Sequence, residues 1–146
     1  MRLILASGSP RRKELLGLFG FPFTVCPADI DETMDPAQAP FDEVARLSRQ
    51  KALAVPREKD DLVVAADTIV VCEGKVLGKP HSAEEARKML TLLSGRDHQV
   101  MTGCTVLRRS LGETFTEVTD LHFRHLSPKE IDRYIAPGEP MDKAGA

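Results

Sequence analysis

The sequence is poor in aromatic residues and carries little net charge. It has no tryptophan, one tyrosine and six phenylalanines, and its formal net charge is −2. A nearly neutral chain has no global electrostatic attraction for nucleic acid or for a membrane surface. Its basic cluster, Arg11-Arg12-Lys13, also lacks interleaved aromatic residues that could stack on bases. The composition therefore argues against nucleic-acid and membrane partners, and an anion site would have to be local.

Cysteine motifs and long apolar runs are also missing. The three cysteines, Cys26, Cys72 and Cys104, are widely spaced, and no CxxC motif occurs. This usage favours reduced thiols over a disulfide framework or a structural zinc site. No apolar segment approaches the length of a membrane span, and the N-terminus lacks the apolar core of a signal peptide. We therefore expect a single domain over residues 1–146, located in the cytoplasm.

The sequence does contain a strand-to-helix turn rich in hydroxyls and cations. The apolar run 3–6 predicts a buried strand, and Ser9-Pro10 is typical of a helix start. Ser7, Arg11 and Arg12 lie at this start. Free backbone N–H groups, the helix dipole and arginine side chains all favour an anion there, most simply phosphate. The alternative is a capped helix with a solvated basic first turn.

One carboxylate lies inside an apolar segment. Residues 62–66 and 69–71 predict buried strand, and Asp67 and Thr68 interrupt them. A carboxylate in an apolar run is unfavourable unless it is hydrogen-bonded, ion-paired or metal-bound. Because such carboxylates are concentrated where chemistry occurs, Asp67 is a candidate general base. The alternative is an aspartate that caps a β-turn.

Three further charged residues are candidates for binding phosphate or metal. Glu32 belongs to an acidic loop, where a carboxylate could hold a hard divalent ion or could simply be solvated. Lys51 lies at the edge of the apolar stripe of a predicted helix over 41–54, so it could follow the core surface or reach an anion. Lys79 lies in a Gly-Lys-Pro turn, which is compatible with a phosphate contact or with an ordinary surface turn.

The candidate residues agree in chemical type. Several cations with two or more carboxylates are what metal-assisted attack of water on a polyphosphate requires. Asp142 and Lys143 add a further pair near the end of the chain. Nucleophilic alternatives lack support, because no G-x-S-x-G elbow, P-loop or cysteine–histidine pattern is present.

Six sequence blocks occur in the same order as in one known family. They are Ala6–Leu16, Ala65–Val70, Gly78–Pro80, Ser94-Gly95, Thr102-Gly103 and Gly138–Ala146. Through them the chain resembles the Maf/septum-formation-inhibitor family of nucleoside triphosphate pyrophosphatases. The resemblance implies an α/β fold, with a central mixed, twisted sheet flanked by helices and an active-site cleft between two lobes. It also implies that a nucleoside triphosphate is cleaved to monophosphate and pyrophosphate with a divalent metal, Mg²⁺ or Mn²⁺.

The resemblance also implies roles by position. Asp67 resembles the proton acceptor that activates water, and Glu32 and Asp67 resemble the metal-associated carboxylates. The implied phosphate-binding set is Ser7, Arg11, Arg12, Lys51 and Lys79. Arg11 and Thr68 match positions linked to substrate choice in the branch that acts on dTTP, UTP and modified pyrimidine nucleotides.

Two other functions stay open beside that branch. One is hydrolysis of damaged purine triphosphates such as ITP, and the other is non-catalytic nucleotide binding by a regulator of septum formation. A homodimer is implied by the resemblance alone. Family members continue past the position of Ala146 through a Tyr-Gly-Ile-Gln-Gly block. The resemblance therefore implies a further C-terminal segment, with a base-recognising glutamine and strands that close the cleft.

Overall fold

The computed structural model describes residues 1–146 as an α/β protein. Its strands are β1 (Leu3–Leu5), β2 (Thr24–Val25), β3 (Leu62–Cys72), β4 (Lys75–Leu77), β5 (Asp97–Arg108) and β6 (Leu111–His122). Its helices are α1 (Pro10–Gly17), α2 (Pro40–Ala54), α3 (Ala83–Leu93) and α4 (Pro128–Ile135), and a short 3-10 helix follows at Glu139–Asp142. None of these helices combines the length and apolarity needed to cross a bilayer.

The strands form one mixed sheet. Its order is β2-β1-β3-β5-β6, and β4 pairs with β3. Strand β1 pairs in parallel with both β2 and β3, whereas β3 and β4 are antiparallel. The two residues between β3 and β4, Glu73 and Gly74, have positive φ angles of 50° and 75°. This is the geometry of a two-residue hairpin turn. Because the sheet contains both parallel and antiparallel pairs and the chain also forms helices, the predicted α/β class with a mixed sheet is confirmed.

The chain divides into two compact units. Unit 1 comprises residues 1–67 and 102–117, and unit 2 comprises residues 68–101 and 118–146. In unit 1, side chains from β1, β3, β5 and α2, and from the residues that directly follow β1 and α2, form a core. This core contains Ile4, Ala6, Ala52, Val55, Val63, Ala65 and Leu107. In unit 2, α3 packs against α4 through Ala86, Leu90, Ile131 and Ile135. Each unit thus has its own hydrophobic core.

Local sequence signals set the starts of the helices. The Ser9 side chain accepts a hydrogen bond from the Arg12 N–H at the start of α1, as the Ser-Pro start predicts. At α4, Ser127 and Glu130 form a reciprocal capping box. At α3, Ser82 accepts from the Glu85 N–H, while the Glu85 carboxylate accepts from the N–H of His81.

Strand β3 continues through the polar pair Asp67 and Thr68. It runs without a gap from Leu62 to Cys72, and Asp67 is one of its buried residues. The alternative of an aspartate that caps a β-turn is therefore wrong. Exposure alternates along this part of the strand, so Asp67 occupies an inward-facing position without disturbing the backbone. The energetic problem of its charge is therefore solved by side-chain partners.

Candidate active site

The strand-to-helix turn after β1 lies against β3 within unit 1. The Ala6 N–H donates to the Val64 carbonyl at 2.8 Å, which extends the parallel pairing into the turn. The buried Ser7 hydroxyl accepts from the Ser9 N–H at 3.2 Å and from Nη1 of Arg12 at 3.3 Å. The same Nη1 donates to the Ala66 carbonyl at 2.8 Å. Ser7 and Arg12 are thereby fixed beside the residue that precedes Asp67.

Arg12 is half-buried. Burial lowers the pKa of Arg12 below its ordinary value, and the nearby Asp67 carboxylate offsets part of this effect. The first turn of α1 contains no acidic residue, although acidic residues would be favoured there by the helix dipole. A partly desolvated cation at the positive end of a helix attracts an anion. The geometry therefore supports the anion-site interpretation of this turn over the solvated one.

Helix α2 carries Lys51 to the Asp67 carboxylate. Lys51 is buried, and its Nζ lies 2.6 Å from Oδ1 of Asp67 and 2.5 Å from Oε1 of Glu32. Two alternatives were predicted for Lys51, and the structure shows the one in which its ammonium reaches into a polar site instead of following the core surface. Its partners there are carboxylates. Asp67 is thus ion-paired, which is one of the three ways in which a buried carboxylate becomes acceptable.

The loop that contains Glu32 is held by an ion pair on α2. The buried Glu43 carboxylate accepts from Nε and Nη2 of Arg46, at 2.8 and 2.7 Å, and from the Asp35 N–H at 2.8 Å. Nη2 of Arg46 also donates to the Thr33 carbonyl at 3.1 Å. Glu43 and Arg46 are not among the functional residues predicted from the sequence. Their opposite charges, three residues apart on a predicted helix, could have indicated an ion pair.

The Glu43 contacts predict a specific dependence of stability on pH. Hydrogen bonds from Arg46 and from the Asp35 N–H lower the pKa of Glu43 from 4.5 to about 2. Because the folded-state pKa is depressed, the stabilisation is complete above about pH 4.5 and is lost as the pH falls towards 2. We expect the melting temperature of wild type to exceed that of Glu43→Gln near neutral pH, and the difference to disappear near pH 2.

The matched control for this measurement is Glu14→Gln. Glu14 is an exposed glutamate of α1, in the same unit. Its substitution is expected to leave the melting temperature close to that of wild type across the same pH range. A difference between wild type and Glu43→Gln that stays constant from pH 7 to pH 2 would contradict the assignment.

The remaining candidates are distributed over both units. Arg11 is an exposed residue in the first turn of α1. In unit 2, Thr68 is half-buried and Lys79 is exposed. The Gly145 N–H donates to the Gly78 carbonyl at 2.8 Å, which joins the C-terminal block to the turn that carries Lys79.

Asp142 and Lys143 belong to this C-terminal block. Nζ of Lys143 contacts Oε2 of Glu139 at 3.0 Å and lies 5.9 Å from the centre of the Tyr134 ring. The Glu139 carboxylate raises the pKa of Lys143 above its ordinary value. The structure therefore gathers five candidates in unit 1, namely Ser7, Arg12, Glu32, Lys51 and Asp67. Lys79 and the C-terminal block form a separate group in unit 2.

The carboxylates of unit 1 suit a hard divalent ion. Magnesium is commonly bound by one or two protein carboxylates, and water and substrate phosphates complete its coordination. Glu32 and Asp67 offer two oxygens that already converge on one cationic nitrogen. The donor set therefore fits Mg²⁺ or Mn²⁺ held jointly with a phosphate ligand. The structure contains no group of three or more histidine, cysteine, aspartate or glutamate side chains placed to hold a metal.

Fold and site together define an α/β protein in which a basic strand-to-helix turn adjoins a cluster of two carboxylates and a lysine. The family model described as Maf-like protein matches residues 2–146. The chain belongs to this family, and the resemblance found in its sequence blocks is confirmed.

Curated relatives match the chain along almost its whole length. It is 52% identical over 145 residues to the dTTP/UTP pyrophosphatase of Halalkalibacterium halodurans, with 99% of this chain and 76% of that protein covered. It is 52% identical over 149 residues to the dTTP/UTP pyrophosphatase of Anaeromyxobacter dehalogenans, with coverage of 99% and 75%. A protein of that name from Bacillus cereus is 48% identical over 146 residues, with coverage of 99% and 76%.

Solved structures of low sequence identity share the fold. The HAM1 protein from Coxiella burnetii aligns with a TM-score of 0.53 at 14% identity, covering 97% of this chain and 94% of that protein. The Staphylococcus aureus Ham1 protein aligns with a TM-score of 0.52 at 16% identity, covering 84% and 71%. These likenesses agree with the α/β fold class predicted from the sequence.

Proposed function

We propose that this protein hydrolyses dTTP and UTP, and modified pyrimidine nucleotides, to the monophosphate and pyrophosphate. The observation that carries the proposal is the convergence of Glu32, Lys51 and Asp67 beside the Ser7–Arg12 turn. This convergence combines cations for phosphate, carboxylates for a metal and a buried base in one place. The names of the relatives that are about half identical to this chain support the substrate class.

In this proposal Asp67 accepts the proton of the attacking water. The water oxygen forms a new bond to phosphorus while the anhydride bond between the α and β phosphates breaks, and pyrophosphate leaves. Asp67 suits the role because β3 fixes its backbone and because its carboxylate is buried. Arg12 and Ser7 bind phosphate oxygens at the start of α1, where the helix dipole adds to the attraction.

Other residues complete the proposed site. Glu32 and Asp67 would hold a divalent metal together with the phosphates. When bound, such a metal neutralises phosphate charge and lowers the pKa of a bound water. We assign further phosphate contacts to Arg11 and Lys51, and a role in substrate choice to Arg11. The phosphate contact of Lys79 and the role of Thr68 in substrate choice stay predictions from the resemblance. The cytoplasmic location and the homodimer stay predictions.

The test is a substrate panel. Pyrophosphate release would be measured from dTTP, UTP, CTP, ITP and 7-methyl-GTP, with Mg²⁺ or Mn²⁺ present. We expect the highest kcat/KM for dTTP and UTP. Preferential cleavage of ITP would replace the proposal with a hydrolase of damaged purine nucleotides. Nucleotide binding without release from any substrate would favour a non-catalytic regulator.

A further inference from the structure

Lys51 pairs with the two carboxylates that we assign to a metal, through one oxygen of each. Its Nζ contacts Oε1 of Glu32 at 2.5 Å and Oδ1 of Asp67 at 2.6 Å. The Lys51 and Asp67 side chains are each 11% exposed, so this contact is shielded from solvent. A charge-assisted contact of this length in a partly dry environment is stronger than a surface ion pair.

A divalent ion and the Lys51 ammonium are competing cations at the same two carboxylates. Magnesium would be held by carboxylate oxygens, which are the groups that pair with the ammonium here. An ion bound there would also face the positive charges of Lys51 and of Arg12, whose guanidinium interacts with both Asp67 and Glu32. The Lys51 charge therefore weakens the binding of a metal ion at these carboxylates, and movement of the ammonium away from them relieves the repulsion.

A triphosphate resolves this competition. Its phosphate oxygens offer Lys51 a new anionic partner and offer the metal further ligands. Lys51 has a flexible four-carbon stem, so its ammonium can move to a phosphate without displacement of α2. A metal that arrives alone provides no such partner for the released ammonium.

We propose that Lys51 acts as an internal competitor of the metal, so that the site binds free divalent ions weakly and binds the metal together with a polyphosphate strongly. The proposal rests on the assigned function and deepens it, because it assigns to Lys51 the control of metal binding at that site. Metal and polyphosphate binding are then coupled, and each tightens the other by the same factor.

The first experiment measures Mn²⁺ binding without nucleotide, by the loss of the free-ion signal in electron paramagnetic resonance. We expect Lys51→Met to bind Mn²⁺ about tenfold more tightly than wild type, within the usual range for coupled sites. The matched control is Lys88→Met, because Lys88 is exposed and pairs only loosely with Glu84 at 3.6 Å. Equal or weaker Mn²⁺ binding by a folded Lys51→Met protein would overturn the proposal.

The second experiment uses wild type, so it does not depend on the folding of a variant. Lysines would be acetylated competitively with a trace of reagent, and labelling of Lys51 relative to Lys88 would be read by mass spectrometry. Saturating Mn²⁺ alone should increase the relative labelling of Lys51, and added inorganic pyrophosphate should reduce it again. Unchanged labelling of Lys51 at Mn²⁺ concentrations that occupy the site would overturn the proposal.

Neither readout depends on turnover. A protein that shows the Lys51 effects but releases no pyrophosphate from any nucleotide would contradict the proposed function and leave this inference standing. A protein that cleaves dTTP and UTP but shows no Lys51 effect would support the proposed function and overturn this inference.

Discussion

Asp67→Asn is expected to lower kcat for dTTP by about a hundredfold or more, which is the usual loss when a general base is removed. Asparagine keeps the size of the side chain but cannot take a proton from water at neutral pH. The variant should stay folded, because Lys51 keeps its contact with Glu32 and is not left as an unpaired buried charge. The phosphate contacts assigned to Ser7, Arg12 and Lys51 remain, so the loss in kcat should exceed the rise in KM that follows from the lost metal oxygen.

The matched control is Asp60→Asn in the same unit. Asp60 forms an exposed ion pair with Arg109 at 2.6 Å, and exposed pairs contribute little to stability. Steady-state release of pyrophosphate would be measured for wild type and both variants, with thermal unfolding as the check on folding. Near-normal turnover by Asp67→Asn would show that Asp67 is not the general base, and Glu32 would then be the next candidate for that role.

Features encoded by neighbouring residues could be predicted from the sequence. The N-cap of α1 and the capping box of α4 each depend on residues within one helical turn. The unusual position of Asp67 was also visible, because one carboxylate stands out in an apolar run. These features can be predicted because each depends on residues that are close together in the sequence.

The partners in the site could not be predicted in the same way. Asp67 and Lys51 are 16 residues apart, and their contact depends on how α2 packs against β3. The sequence therefore left open whether Lys51 would follow the core surface or reach into a site. The means by which Asp67 is stabilised stayed open for the same reason, because the side-chain partner of this buried carboxylate comes from another element.

The largest structural effect is expected for Gly103→Ala. A Cβ atom at Gly103 would lie 2.2 Å from the Val44 carbonyl oxygen and 2.8 Å from the Ala45 nitrogen. These are backbone atoms of α2, so no side-chain rotation can relieve the clash. Overpacking in a core typically costs roughly 1–3 kcal/mol, and a backbone obstacle places this variant at about 3 kcal/mol or beyond. This close approach of a helix to β5 accounts for the glycine.

The control for Gly103→Ala is Gly17→Ala, which lies in α1 with no atom within 4 Å of the added Cβ. Alanine is the better helix former, so this control should be neutral or stabilising by up to about 1 kcal/mol. Urea unfolding followed by circular dichroism would measure both variants. Because α2 also carries Lys51, the residual folded Gly103→Ala protein should lose turnover along with stability. A wild-type unfolding midpoint for Gly103→Ala would show that α2 does not approach β5 this closely, and the placement of Lys51 against Asp67 would then fail with it.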